Sequence, residues 1–341
     1  MKKILVLVLS GMLLSTTTYA ADQIDVFVSI APIKWLVDKV GQERVRTHIL
    51  VAEGQEPHRF EPTPRQIATM SKSEIWFTSG LEFEKQLHAK VANLSTSLEI
   101  IDIADTIDKL PMSAAGHHHE DTAHAAAHHS SDATAAKEHH HDAGHEEEQD
   151  HGDDNIHGDT ENHHADKEHS SARQHDQGDD DPHVWLSPRN LKIMADRIVL
   201  ALADADGASG DFFQNNAEAL HDKLNAAHTR IAATLKPYAG SSFYVYHPSF
   251  GYFADAYGLE QRAVEIEGKT PTPKQLKQLI TRAKEQNMRV IFVQPQFDPK
   301  GATAVARAIG GNVVPLDPLH GEVLENLMKM AEKISSALDN T

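Results

Sequence analysis

Cysteine is absent from this chain of 341 residues, so any metal site in it must use mainly nitrogen and oxygen donors. Histidine supplies the nitrogen. Eight histidines lie outside one histidine-crowded tract: His48, His58, His88, His183, His221, His228, His247 and His320. Three of them, with one carboxylate, stand where a ligand would be expected. His58 sits in a loop after a strand-like run. His183 directly precedes a helix start. His247 and Asp317 each directly follow a strand-like run. Three imidazoles and a carboxylate make a tetrahedral set suited to zinc, whereas manganese would call for more carboxylate. Taken singly, His183 reads equally well as a core-edge residue with a satisfied hydrogen bond, and any one histidine in such a loop is more often surface or core than ligand. His48, His88, His221 and His228 fall within strands or helices and read as solvated positions. His320 is left open by its nearness to Asp317.

The elements that must position these side chains are legible as alternation. Strands are predicted at 26–30, 45–51, 75–78 and 99–103. Helices between them are opened by Pro32 and by Thr63-Pro64. After Ser187-Pro188, a serine N-cap followed by proline at the first helical position, an amphipathic helix runs to about Asp206. A helix of roughly 26 residues follows, about 40 Å long. Strands then resume at 243–246, 263–266, 290–293 and 313–316. Such alternation predicts an α/β fold: two similar parallel-sheet lobes joined by one long rigid helix. Ligands bind such sheets beyond the carboxyl ends of their strands, which places the metal site in the interlobe cleft. Val184, Trp185 and Leu186 would anchor His183 there.

Charge is concentrated in one segment. Between His117 and Asp181 the chain carries 16 histidines and 19 acidic residues against three basic ones, which accounts for −16 of its −18 formal charges. The remainder is near neutral and has no basic footprint for nucleic acid. The tract has no hydrophobic periodicity and too little apolar surface to offset ordering, so it is expected to be disordered without metal. Its flexible reach of about 45 Å would let it sample the cleft. At the N-terminus, Lys2 and Lys3, an apolar run at 4–14 and Thr18-Tyr19-Ala20 predict a signal peptide cleaved after Ala20. The domain plan is a leader at 1–20 and an N-terminal lobe at 21–210 carrying the tract at about 112–181. A linking helix at 211–239 and a C-terminal lobe at 240–341 complete it.

Four stretches carry a family resemblance: Gly54-Gln55-Glu56-Pro57-His58 with Pro62-Thr63-Pro64; Asp181-Pro182-His183-Val184-Trp185-Leu186-Ser187-Pro188; His247-Pro248-Ser249-Phe250-Gly251-Tyr252-Phe253; and Leu316-Asp317-Pro318-Leu319. In this order the chain resembles the zinc-uptake periplasmic binding proteins of the ZnuA type, which deliver metal to ABC importers. The resemblance implies Zn2+ as transported ligand, with His58, His183 and His247 as ligands. Manganese relatives carry glutamate at the third of these positions. For the fourth ligand, some relatives use an aspartate matching Asp317 and others a glutamate directly before the first histidine. Here Pro57 stands in that place, so Asp317 is preferred, with Glu56 or a water as runner-up. The family often carries a histidine-rich acidic loop, and the disulfide of some members has no counterpart here.

The expected function is therefore high-affinity capture of zinc in the periplasm and delivery to the membrane permease of a zinc ABC transporter. The histidine-rich loop would be an accessory collector or sensor. A periplasmic metallochaperone is a further candidate partner, and the protein is expected to act as a monomer. A metal chaperone or a metal-dependent adhesin would use the same binding chemistry. No HExxH or GxSxG pattern supports a hydrolase. Since neutral imidazole is the metal-binding form, acidification is expected to weaken binding.

Overall fold

The computed structural model describes residues 23–93, 97–112, 180–265 and 272–339. The leader and nearly all of the histidine-rich tract lie outside the described residues. The first lobe runs β1 (Ile24–Val28), α1 (Ala31–Gly41), β2 (Val45–Ile49), α2 (Pro64–Met70), β3 (Ile75–Thr78), α3 (Glu82–Val91) and β4 (Glu99–Asp102). Two helices follow, α4 (Pro188–Ala205) and the 26-residue α5 (Gly210–Leu235). The second lobe runs β5 (Ser242–Val245), α6 (Gly251–Ala256), β6 (Glu260–Ala263), α7 (Pro273–Glu285), β7 (Val290–Val293), α8 (Lys300–Ile309), β8 (Asn312–Pro315) and α9 (Val323–Leu338). Among the described residues, no helix is long and apolar enough to cross a membrane.

Each lobe holds one four-stranded sheet, ordered β2-β1-β3-β4 in the first and β6-β5-β7-β8 in the second, with every pairing parallel. The two orders are equivalent. In each, the chain reverses direction across the sheet beside the first strand, and a crevice opens there at the carboxyl ends. The central strands read as unbroken apolar runs because helices cover both faces: Ile75, Trp76 and Phe77 are buried, as are Phe243, Tyr244 and Val245. The edge strands β6 and β8 are more polar and sit earlier than the predicted 263–266 and 313–316. At an edge, one side of the strand needs no apolar cover, so an apolar run misplaces it.

Two helix starts are fixed by the same local device. Thr63 Oγ1 accepts from the Gln66 N–H while Gln66 Oε1 accepts from the Thr63 N–H, and Thr272 and Gln275 repeat the exchange at α7. Ser187 differs from expectation. It occupies the N-cap of α4 but makes no side-chain cap bond, so Pro188 and burial set that start. The long helix α5 packs on α1, α4 and α9, and so touches helices of both lobes. One apolar core runs from Val26 and Phe77 through Trp185 and Leu224 to Phe243 and Leu327.

The chain leaves the first lobe at Pro111 and returns at Asp180, and these two residues form an antiparallel bridge. The Asp181 N–H donates to Leu110 O at 2.7 Å beside it. Tyr252 of α6 ties this neck to the second lobe: the Leu110 N–H donates to its hydroxyl at 3.0 Å, and the hydroxyl donates to Asp181 O at 3.1 Å.

Candidate metal centre

His58, His183 and His247 meet. Each offers a ring nitrogen, and these three atoms lie within 4.8 Å of one another. Ring centroids are 4.9 Å apart for His58–His247, 5.5 Å for His183–His247 and 6.3 Å for His58–His183. Nitrogens on a tetrahedral zinc are about 3.4 Å apart, given bonds of about 2.05 Å, so an ion would draw the rings in by about 1.4 Å at most. Trp185, Leu81, Phe297 and Gln296 help to enclose the space between them, about 20 Å³. That volume holds one small occupant.

Each histidine is mounted differently. His183 caps the single 3-10 turn Val184–Leu186, whose three side chains are buried. Asp181 Oδ1 accepts from the His183 backbone N–H at 2.9 Å and pairs with its Nδ1 at 2.7 Å. A carboxylate only accepts, so Nδ1 carries the proton and Nε2 is left for a metal. The Trp185 ring packs edge-on against His183, and its Nε1–H donates to Pro318 O at 2.8 Å. Gly251 makes room for this arrangement, since a Cβ there would stand 2.5 Å from Asp181 Oδ2.

His247 lies just past the end of β5. Its Nδ1 pairs with Glu265 Oε2 at 2.8 Å, which again leaves Nε2 for a metal. Gln294 holds its backbone from both sides: Oε1 accepts from the His247 N–H at 3.3 Å, and Nε2 donates to His247 O at 2.6 Å. Phe297 stacks on the ring at 5.0 Å. His247 Nε2 is buried and has no hydrogen-bond partner, a condition that a metal ion would relieve.

His58 sits in the 3-10 turn Pro57–Arg59 between β2 and α2 and keeps an exposed face. Desolvation by the surrounding protein, with His247 and His183 close by, pushes its pKa down to about 4. Burial also holds His183 below the ordinary imidazole value, against the opposing pull of Asp181. Both rings are thus kept in the neutral form that binds metal.

Asp317 is not among the three. It follows β8, but its Oδ1 accepts from Gln296 Nε2 at 2.8 Å and from the Leu319 N–H at 2.9 Å. It lines a different cleft, with His320 and Lys333. Glu56, the alternative, stands outside the group as well, 3.8 Å from Arg59 Nε. Of the other histidines, His88 and His228 are exposed. His48 stacks on Phe27 and lies 3.2 Å from Asp25, and His221 lies 3.2 Å from Asp196.

Sequence reasoning overlooked the carboxylates behind the rings and the glutamines beside them. Asp181, two residues before His183, stands in the quoted motif and in the acidic tract, but nothing in the sequence gives it the His183 ring as a partner. Glu265 reads as the interior of a strand at 263–266; β6 ends at Ala263, and Glu265, whose N–H donates to Tyr246 O, stands at the carboxyl end of the sheet beside His247.

A family model described as zinc-uptake complex component A, periplasmic (ZnuA), matches residues 26–340. The high-affinity zinc uptake system protein ZnuA of Haemophilus influenzae is 31% identical over 343 residues, spanning 100% of this chain and 98% of that protein. Among solved structures, a crystal structure of ZnuA is 31% identical with a TM-score of 0.72, covering 93% of this chain and 99% of that one. A ZnuA deletion mutant with zinc bound is 30% identical with a TM-score of 0.71, covering 93% and 98%. The likeness takes in both lobes and every stretch that brings an imidazole to the cleft, and by it this chain belongs to the ZnuA family of periplasmic zinc-uptake components.

Proposed function

We propose that this chain captures Zn2+ with His58, His183 and His247 and hands it to the membrane permease of a zinc ABC importer. As a member of its family it is a transport binding protein and not an enzyme. The observation that carries the ligand assignment is the pair of backed imidazoles. His183 and His247 each spend Nδ1 on a buried carboxylate, which leaves two Nε2 atoms facing one small cavity alongside His58. Carboxylate-backed imidazoles are a recurring support of zinc sites, because the partner fixes the tautomer and raises ligand basicity.

The family is periplasmic, and the leader read at 1–20 accords with export. The histidine-rich tract would act as a low-affinity collector. Its clusters such as His117-His118-His119 chelate zinc, and its carboxylates raise local cation concentration.

Titration calorimetry tests both parts. The intact chain should show one tight site and several weak ones, and removal of 113–178 should abolish the weak ones alone. Unchanged tight binding in the His183→Ala chain would remove the ligand assignment. Unchanged stoichiometry in the shortened chain would remove the collector.

A further inference from the structure

Three imidazoles leave a tetrahedral zinc one donor short. Asp317 and Glu56 both stand outside the histidine group. One residue that lines the space between the rings carries a second buried polar atom without a hydrogen-bond partner, besides His247 Nε2. It belongs to Gln296, which lines the same space, and the atom is Oε1.

The direction of that amide is settled by chemistry. Gln296 Nε2 lies 2.8 Å from Asp317 Oδ1. A carboxylate accepts and never donates, so the NH2 end must face Asp317 and the carbonyl end is left over. Asp317 is itself held, since its Oδ1 also takes the Leu319 N–H and Asn326 Nδ2 donates to its backbone carbonyl at 2.7 Å. A sealed carbonyl oxygen is satisfied only by a hydrogen-bond donor or a cation.

We propose that Gln296 Oε1 is the fourth donor to the zinc held in the cleft, and that Asp317 acts through Gln296 as the residue that orients its amide. This rests on the zinc-capture reading above. The donor set is then three neutral imidazoles and one neutral amide oxygen. Such a set leaves the full charge of the ion in the cleft and offers manganese none of the carboxylate it favours. A carboxylate at this position would hold harder cations better.

The test uses the full chain loaded with one equivalent of zinc, crystallised and measured with anomalous scattering at the zinc edge, together with calorimetry on Gln296→Met and Asp317→Leu. The expected result is a Zn–Oε1 distance of about 2.0–2.2 Å. Tight-site affinity should fall about 10- to 100-fold in Gln296→Met and by less in Asp317→Leu, which frees the amide without removing it. Zinc bound to the three histidines with water or Asp317 in the fourth place would overturn the proposal and leave zinc capture standing. Zinc absent from the three histidines would overturn both. Should Gln296→Met fail to fold, the distance in the unaltered chain decides.

Discussion

His183 and His247 are built one way and His58 another. The first two are buried, each with Nδ1 on a carboxylate, each braced by an aromatic ring, each tied down at its backbone by a side-chain acceptor. His58 rides a short turn with an exposed face, and among the described residues no carboxylate backs it. Rigid donors fix geometry; a donor on a surface turn is free to arrive late. The comparison teaches a division of labour. On the zinc-capture reading, the two backed imidazoles supply a preset edge and His58 supplies the third donor from an exposed turn.

The sharpest way to break this comparison is to remove a ring. Structural zinc binding is worth about 10–16 kcal/mol over four donors, so one donor carries roughly 3 kcal/mol. His247→Ala or His183→Ala should weaken tight-site binding by about 100- to 1000-fold in calorimetry. If the division holds, His58→Ala should raise the dissociation rate more than it lowers the association rate, which stopped-flow with a zinc-sensitive dye would resolve.

Next in size are the backing carboxylates. Asp181→Asn and Glu265→Gln keep shape but no longer force the proton onto Nδ1, and each should cost about 10- to 100-fold in zinc affinity. An equal loss for a carboxylate placed away from the rings, such as Asp105→Asn, would show that charge alone matters.

Acidity sharpens the same contrast. With its pKa pushed down to about 4, His58 stays neutral in the folded chain where a free imidazole, near 6.5, is already protonated. Two consequences follow in sign. Proton competition at His58 sets in only as pH nears 4, so zinc affinity should fall less between pH 7 and 5 than unperturbed histidines would dictate. The metal-free fold, whose His58 binds fewer protons than the unfolded chain, should lose stability as pH drops from about 6.5 towards 4. Urea unfolding of metal-free His58→Gln at pH 7 and 5 should show a smaller difference than the unaltered chain.

The smallest effect concerns the neck. Tyr252→Phe deletes the hydroxyl between Leu110 N and Asp181 O and should lower stability by about 1 kcal/mol in denaturant unfolding. Gly251→Ala should act more strongly on zinc than on stability. The new methyl strikes Asp181 Oδ2, and Asp181 positions His183.

The class of fold and the three rings were readable because both rest on local signals. Apolar runs mark central strands, and the three histidines stand out as a set, near strand ends and before Ser187-Pro188, where one alone would not. What escaped depends on contacts across the chain. Glu265 meets His247 through pairing across the sheet, where its N–H donates to Tyr246 O, and the polar Glu260-Gln261-Arg262 that opens edge strand β6 does not look like a strand. Gln296 gains meaning only from Asp317, 21 positions away. Asp317 itself illustrates the limit: its place at the end of β8 was foreseen, but not that Gln296 and Leu319 would occupy its oxygen.

The bridge between Pro111 and Asp180 has a practical consequence. Because entry and exit are clamped side by side, the lobe offers a socket for an insert, and lengthening that insert should add only slowly to the cost of closing it. One prong of that socket, Asp181, also grips the His183 ring. A fluorescent reporter joined at Asp180 would therefore sit three residues from His183, linked to that ring through the carboxylate of Asp181.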